Sequence, residues 1–139
     1  MAVSRGQFNI DLIADLRAHG GKATGGPFVG SDVLILTTKG AKSGAIRETP
    51  LAYTRDGDHL VILGSKGGAP THPAWYHNLV AHPVVTVEAQ GEKFEARAHV
   101  AGGDEYERLY TQHADRYPGF YEYRKRTSRI IPVIVLERI

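Results

Sequence analysis

Cysteine is absent from the chain. That one absence excludes disulfides, thiolate metal centres, iron–sulfur ligation and a cysteine nucleophile, and it suits a reducing cytosol. Excess charge is lacking too: 17 Lys and Arg stand against 15 Asp and Glu, a net +2. So small a surplus does not support wholesale nucleic-acid binding, and any electrostatic argument must be local. No apolar run approaches the roughly 20 residues of a membrane span, and the first residues lack the basic-then-apolar pattern of a secretion signal. Repeats and low-complexity tracts are missing as well. What remains is 139 residues, 42% hydrophobic, enough for one core. The expectation is a single cytoplasmic domain over residues 1–139, its first 30 residues a helix and a loose glycine-rich link.

Periodicity supplies the elements. Phe8, Leu12, Ile13 and Leu16 share a helical face, and Gly20-Gly21 ends it. Val33–Leu36, Thr49–Thr54 and His59–Leu63 read as a three-strand meander, with Arg55-Asp56-Gly57-Asp58 as a hairpin signal. A short helix is expected over Pro73–Ala81, then strands Val84–Ala89 and Glu92–Val100 joined at Gln90-Gly91. Tyr106, Leu109, Tyr110, His113, Ala114 and Tyr117 repeat at helical steps from Asp104, with Glu107 completing a capping-box pattern. Ile130–Leu136 closes the chain as a strand. Short, hairpin-linked strands predict a mainly β fold, an antiparallel barrel with flanking helices.

Two turns carry the chemistry. Between Thr37 and Arg47 the cations Lys39, Lys42 and Arg47 alternate with Gly40, Ala41, Ser43 and Gly44. A solvated hairpin tip needs none of these cations. Glycine lets backbone N–H groups approach an anion, lysine adds a point charge and arginine a planar fork. It is not a Walker A loop, because the second glycine follows the lysine and no helix signal comes next. Ser65-Lys66-Gly67-Gly68 repeats the chemistry after another buried strand, which suggests a ligand bearing anionic groups. Trp75 and Tyr76 beside it suit either core packing or a wall against a planar ring. His72, His77 and His82 fall on different helical faces with no carboxylate at ligand spacing, so no metal is expected. The aromatic and basic run from Tyr117 to Arg126 reads as one wall of a pocket, in preference to a nucleic-acid platform.

Taken in order, Leu34–Gly44, Arg47, Thr49-Pro50-Leu51, Ser65–Ala69, Pro73–Leu79 and Ile131-Pro132-Val133 resemble the deazaflavin-dependent nitroreductase family, over nearly the whole chain. The resemblance implies a split β-barrel, related to flavin-mononucleotide-binding barrels, that binds 8-hydroxy-5-deazaflavin coenzyme F-420. Such enzymes pass hydride from the reduced coenzyme to quinones, enones or nitroaromatics. By position, Ala41, Lys42, Ser43 and Arg47 would hold the coenzyme's phosphate and oligoglutamate tail. Glu48, Thr49, Pro50, Leu51, Leu63, Gly64, Ser65, Lys66, Ala74, Trp75, Tyr76, His77 and Asn78 would line its ribityl chain and ring.

Tyr117, Phe120 and Tyr123 would form the acceptor pocket, with Ser65, Tyr117 and Tyr123 as candidate proton donors. Phe120 stands where the nitroreductase has a tyrosine. It keeps an apolar wall and loses a donor, so the resemblance speaks more directly to quinones and enones than to nitro compounds. The small-molecule acceptor is the implied partner, with peripheral membrane contact if that acceptor is a lipid quinone. Two alternatives share the same barrel: an FMN oxidoreductase, and a non-catalytic F-420 carrier. The oligomeric state stays open.

Overall fold

The computed structural model describes residues 5–139; residues 1–4 of the expected single domain lie outside them. In chain order the elements are α1 (Arg5–Ala18), β1 (Val33–Lys39), β2 (Ile46–Ala52), β3 (Thr54–Asp56), β4 (His59–Leu63) and a 3-10 turn at Lys66–Gly68. Then follow α2 (Ala74–Ala81), β5 (Val84–Ala89), β6 (Glu92–Val100), α3 (Gly103–Arg116), α4 (Gly119–Lys125) and β7 (Val133–Arg138).

All seven strands are antiparallel to their neighbours, in the order β2-β1-β5-β6-β7-β4-β3. The edge strands β2 and β3 are consecutive in the chain and separated only by Tyr53. One residue reaches no more than about 3.5 Å. The sheet therefore curls until its two edges meet at that corner, which is the split β-barrel. This corrects the expected meander. Thr49–Thr54 is not one strand: its first part pairs with β1, and after the turn of direction at Tyr53 the chain pairs with β4.

Alternation explains why the strands look uniformly apolar. On β4, Leu60 and Ile62 enter the barrel interior, while Val61 and Leu63 pack outward beneath α3 and α4. β7 divides the same way, with Ile134 and Leu136 inward and Val133 and Val135 outward. On β1, Leu34 and Leu36 face the interior, and Val33 and Ile35 receive Leu12, Ile13 and Leu16 of α1. Both faces are covered, so both parities are hydrophobic. Pro50 interrupts β2 without harm, because an edge strand tolerates a missing donor.

Two further expectations are adjusted. The Gly20–Gly30 link is held, not loose. Thr24 bonds Asp15 through its backbone N–H at 2.7 Å and its hydroxyl at 2.6 Å, and Phe28 packs against Phe8 at 6.3 Å between ring centres. The Asp104–Glu107 capping box is not made: Gly102 is the N-cap, no side chain caps the helix, and Glu107 turns to Arg124 at 2.8 Å. Gly103, the first residue of the helix, takes φ +56°, which glycine allows and which disfavours the box geometry.

Candidate functional site

A cavity of about 1550 Å³ lies where the two glycine-rich turns, α2 and α4 come together. That exceeds the roughly 300–1,000 Å³ usual for one small ligand.

The first turn is built by short-range bonds. Gly40 N–H donates to the Ala45 carbonyl at 2.7 Å, Gly44 N–H to the Gly40 carbonyl at 3.0 Å, and Ala45 N–H to Ser43 Oγ at 3.1 Å. A Cβ at Gly40 would meet Ser43 Oγ at 2.5 Å and the Ala45 carbonyl at 3.2 Å, so a side chain here would displace the hydroxyl that braces the turn. Asn78, buried on α2, accepts from Ala41 N–H at 3.0 Å and donates to Thr38 Oγ1 at 3.1 Å. Its amide is thus spent on fixing the turn. Lys42 and Arg47 are exposed, line the cavity, and pair with no carboxylate among the described residues. Lys39 does not reach the lining, since its stem lies along Gly44, while Lys66 and Arg116 do. The one carboxylate on the lining, Glu48, is engaged by Arg17 of α1. Arg17 also bonds Glu88 at 2.7 Å, which holds the Glu88 carboxyl below its usual range. Four lining cations against one paired acid leave the cavity positive.

The second turn is unusual in its backbone. Ser65 is right-handed (φ −76°, ψ −37°), and Lys66, Gly67 and Gly68 follow at φ +48°, +65° and +83°. A right-handed residue followed by a left-handed one turns successive N–H groups toward one side, a concavity suited to partial negative charge. Ser65, Lys66 and Gly67 line the cavity, and the buried Ser65 hydroxyl has no partner among the described residues. Gly68 abuts α4: a Cβ there would lie 2.9 Å from the Tyr123 carbonyl.

α4 forms the aromatic wall. Phe120 and Tyr123 meet edge to face at 5.3 Å, and Tyr110 fixes the Phe120 carbonyl with a 2.6 Å hydrogen bond. The Tyr123 hydroxyl is uncommitted among the described residues. The Tyr117 hydroxyl is committed: it donates to the Tyr53 carbonyl at 3.0 Å and accepts from Asp32 N–H at 3.1 Å. Burial raises its pKa, against the Asp32 bond that lowers it. Tyr117 therefore lines the cavity while its hydroxyl locks the barrel corner.

Ala41, Ser43, Thr49, Pro50, Leu51 and Leu63 come to the same lining, as do Ala74, Trp75, His77 and Asn78. Trp75 belongs to the core as well, joining both readings of that side chain. Gly64 and Tyr76 do not reach the cavity. Gly64 is backed against Pro132, and the Tyr76 ring packs on His72 at 4.6 Å and His77 at 5.5 Å. Sequence reading missed an apolar stretch of wall from Phe8, Pro27, Phe28 and Val29, along with Arg116, which holds the Gly30 carbonyl at 2.8 Å. Phe8 carried only a helical-face signal, and the link carried only glycine.

The described residues contain no helix long and apolar enough to cross a membrane. The model of a family described as F420H(2)-dependent quinone reductase matches residues 12–138. An F420H(2)-dependent quinone reductase of Mycobacterium tuberculosis is 45% identical over 111 residues, covering 76% of this chain and 72% of its own. A solved F420-H2 dependent reductase superposes with a TM-score of 0.70 at 36% identity, over 76% of this chain and 94% of that one. A second solved structure, described as a domain-swapped dimer, gives 0.72 at 31% identity over 96% of each chain.

Proposed function

Because the chain belongs to the F420H(2)-dependent quinone reductase family, we propose that this cavity seats coenzyme F-420 beside a quinone, with the tail at the first turn and the ring at the second. One observation carries the reading: two turns rich in unpaired donors and an aromatic wall share one cavity large enough for coenzyme and acceptor together. The donor set fits the group. Lys42 and Arg47 suit the phosphate and carboxylates of the tail, and the Ala41–Ser43 backbone is pinned close beside them by Asn78. Ser65, Lys66 and Gly67 offer N–H groups to the polar edge of a flat heterocycle, and Trp75 gives the pocket an aromatic side.

When bound, the reduced deazaflavin supplies the hydride. Quinone reduction also needs a proton. Ser65 and Tyr123 hold hydroxyls in the cavity that no protein group claims, so they are the donors in this reading; Tyr117 is left a structural role. Phe120 and Tyr123 give the acceptor an apolar, water-poor face. Enones and nitroaromatics are electron-poor acceptors of similar flatness, and the missing hydroxyl at Phe120 ranks the nitro compounds last. Membrane contact enters only where the quinone is lipid-borne.

Fluorescence titration of the purified protein with oxidised F-420 should give saturable binding at micromolar coenzyme. Reduced F-420 should then be oxidised faster than background on adding menadione. Absence of binding would sink the reading; binding without turnover would leave a carrier. Protein that purifies yellow would point to FMN instead.

A further inference from the structure

We infer that Arg129, which does not line the cavity, is the positioning residue that sets the coenzyme-facing turn from Gly64 to Ala69. The inference rests on the functional reading above and adds a residue to it. Arg129 lies between α4 and β7, partly buried. Its Nε donates to the Ala69 carbonyl at 2.8 Å, and Nη2 to the Ser65 carbonyl at 2.7 Å. Nη1 donates to the Gly64 carbonyl at 3.0 Å and meets His72 Nδ1 at 3.0 Å. One planar fork thus takes both ends of the turn and the approach to α2.

The consequence for the turn is geometric. In a trans peptide the carbonyl and the next N–H point in opposite directions. Pulling the Gly64 and Ser65 carbonyls onto the guanidinium therefore sends the Ser65 and Lys66 N–H groups the other way. Neither of those N–H groups has a backbone acceptor outside the regular elements, and both residues line the cavity. Lys66 is also left-handed at φ +48°, which a residue with a side chain keeps only where its surroundings over-determine it. Arg129 is that constraint. A lysine carries the charge and lacks the fork, so it cannot hold three carbonyls in one plane. His72 accepts from Arg129 and so must be neutral. Its pKa is held below the usual range by burial first and then by the Arg129 charge.

Arg129→Gln and Arg129→Lys should be compared with wild type in two measurements. Hydrogen–deuterium exchange of the unliganded protein should rise in the peptide covering residues 64–69 and stay unchanged in α1 and β5. The dissociation constant of oxidised F-420 should rise at least tenfold in Arg129→Gln, with Arg129→Lys recovering less than half of that loss on a logarithmic scale. Affinity within twofold of wild type in either variant overturns the inference, as does exchange that rises throughout the chain. Should wild type bind no F-420, the functional reading falls, and the exchange experiment alone decides whether Arg129 orders the turn. If Arg129→Gln does not fold, Arg129→Lys carries the same two criteria.

Discussion

His113 shows how much a single residue can hide. It is fully buried; its Nδ1 shares a 3.0 Å hydrogen bond with Thr54 Oγ1, and its Nε2 has no partner among the described residues. Tyr117 and Phe120 rings surround it at 5.2 and 4.6 Å. Burial pushes its pKa down from 6.5 to about 4. The unfolded chain therefore binds the proton more readily between those values. His113 leaves stability intact above pH 6.5 and removes it progressively as pH falls toward 4, on the order of 3 kcal/mol in all. Urea unfolding at about pH 7.0, 5.5 and 4.5, from above the window to well inside it, should show the decline, and His113→Leu should flatten it. Lys42, Arg47 and Ser65 were legible in the sequence because each belongs to a turn whose neighbours repeat its chemistry. His113 and Arg129 were not. Their partners, Thr54 and Gly64, lie 59 and 65 residues away, and no local pattern reports such pairings.

At the scale of elements, the first turn offers the sharpest test. Lys42→Ala with Arg47→Ala should weaken F-420 binding roughly 10- to 1000-fold, from about 1.5–3 kcal/mol for each charge-assisted bond, discounted for exposure. Equal affinity in the fluorescence titration would move the tail elsewhere. The loss should shrink as salt is raised, because both cations are exposed. At the β2–β3 corner, Tyr117→Phe removes the hydroxyl that bridges Tyr53 and Asp32. A loss of about 1–2 kcal/mol in unfolding free energy is expected, with hydride-transfer rate nearly retained. A collapse of turnover at unchanged stability would restore Tyr117 as a proton donor. Strands β5 and β6 were readable to the residue because their alternation and the Gln90-Gly91 turn agree. α4 was not, since seven residues of mixed aromatic and basic type show no helical stripe; Tyr110 of α3 organises it by holding the Phe120 carbonyl and taking Arg124 of α4 over its ring.

For the whole molecule, the sequence disclosed a barrel and missed how it closes. Hairpin signals report neighbours in the chain, whereas closure depends on β7 inserting between β6 and β4. That placement is what brings the turn after β4 under Arg129 and beside α4. The two edges meeting at Tyr53 also leave the outer side of β2 unpaired among the described strands. Such an edge ordinarily invites a strand from another molecule and, at high concentration, aggregation. Here Pro50 withholds a donor, and a visiting strand would have to strip water from Arg47 and Glu48. Arg47, which the proposed reading gives to the coenzyme's tail, therefore also makes this rim a poor template for fibre growth, whether or not a ligand is bound.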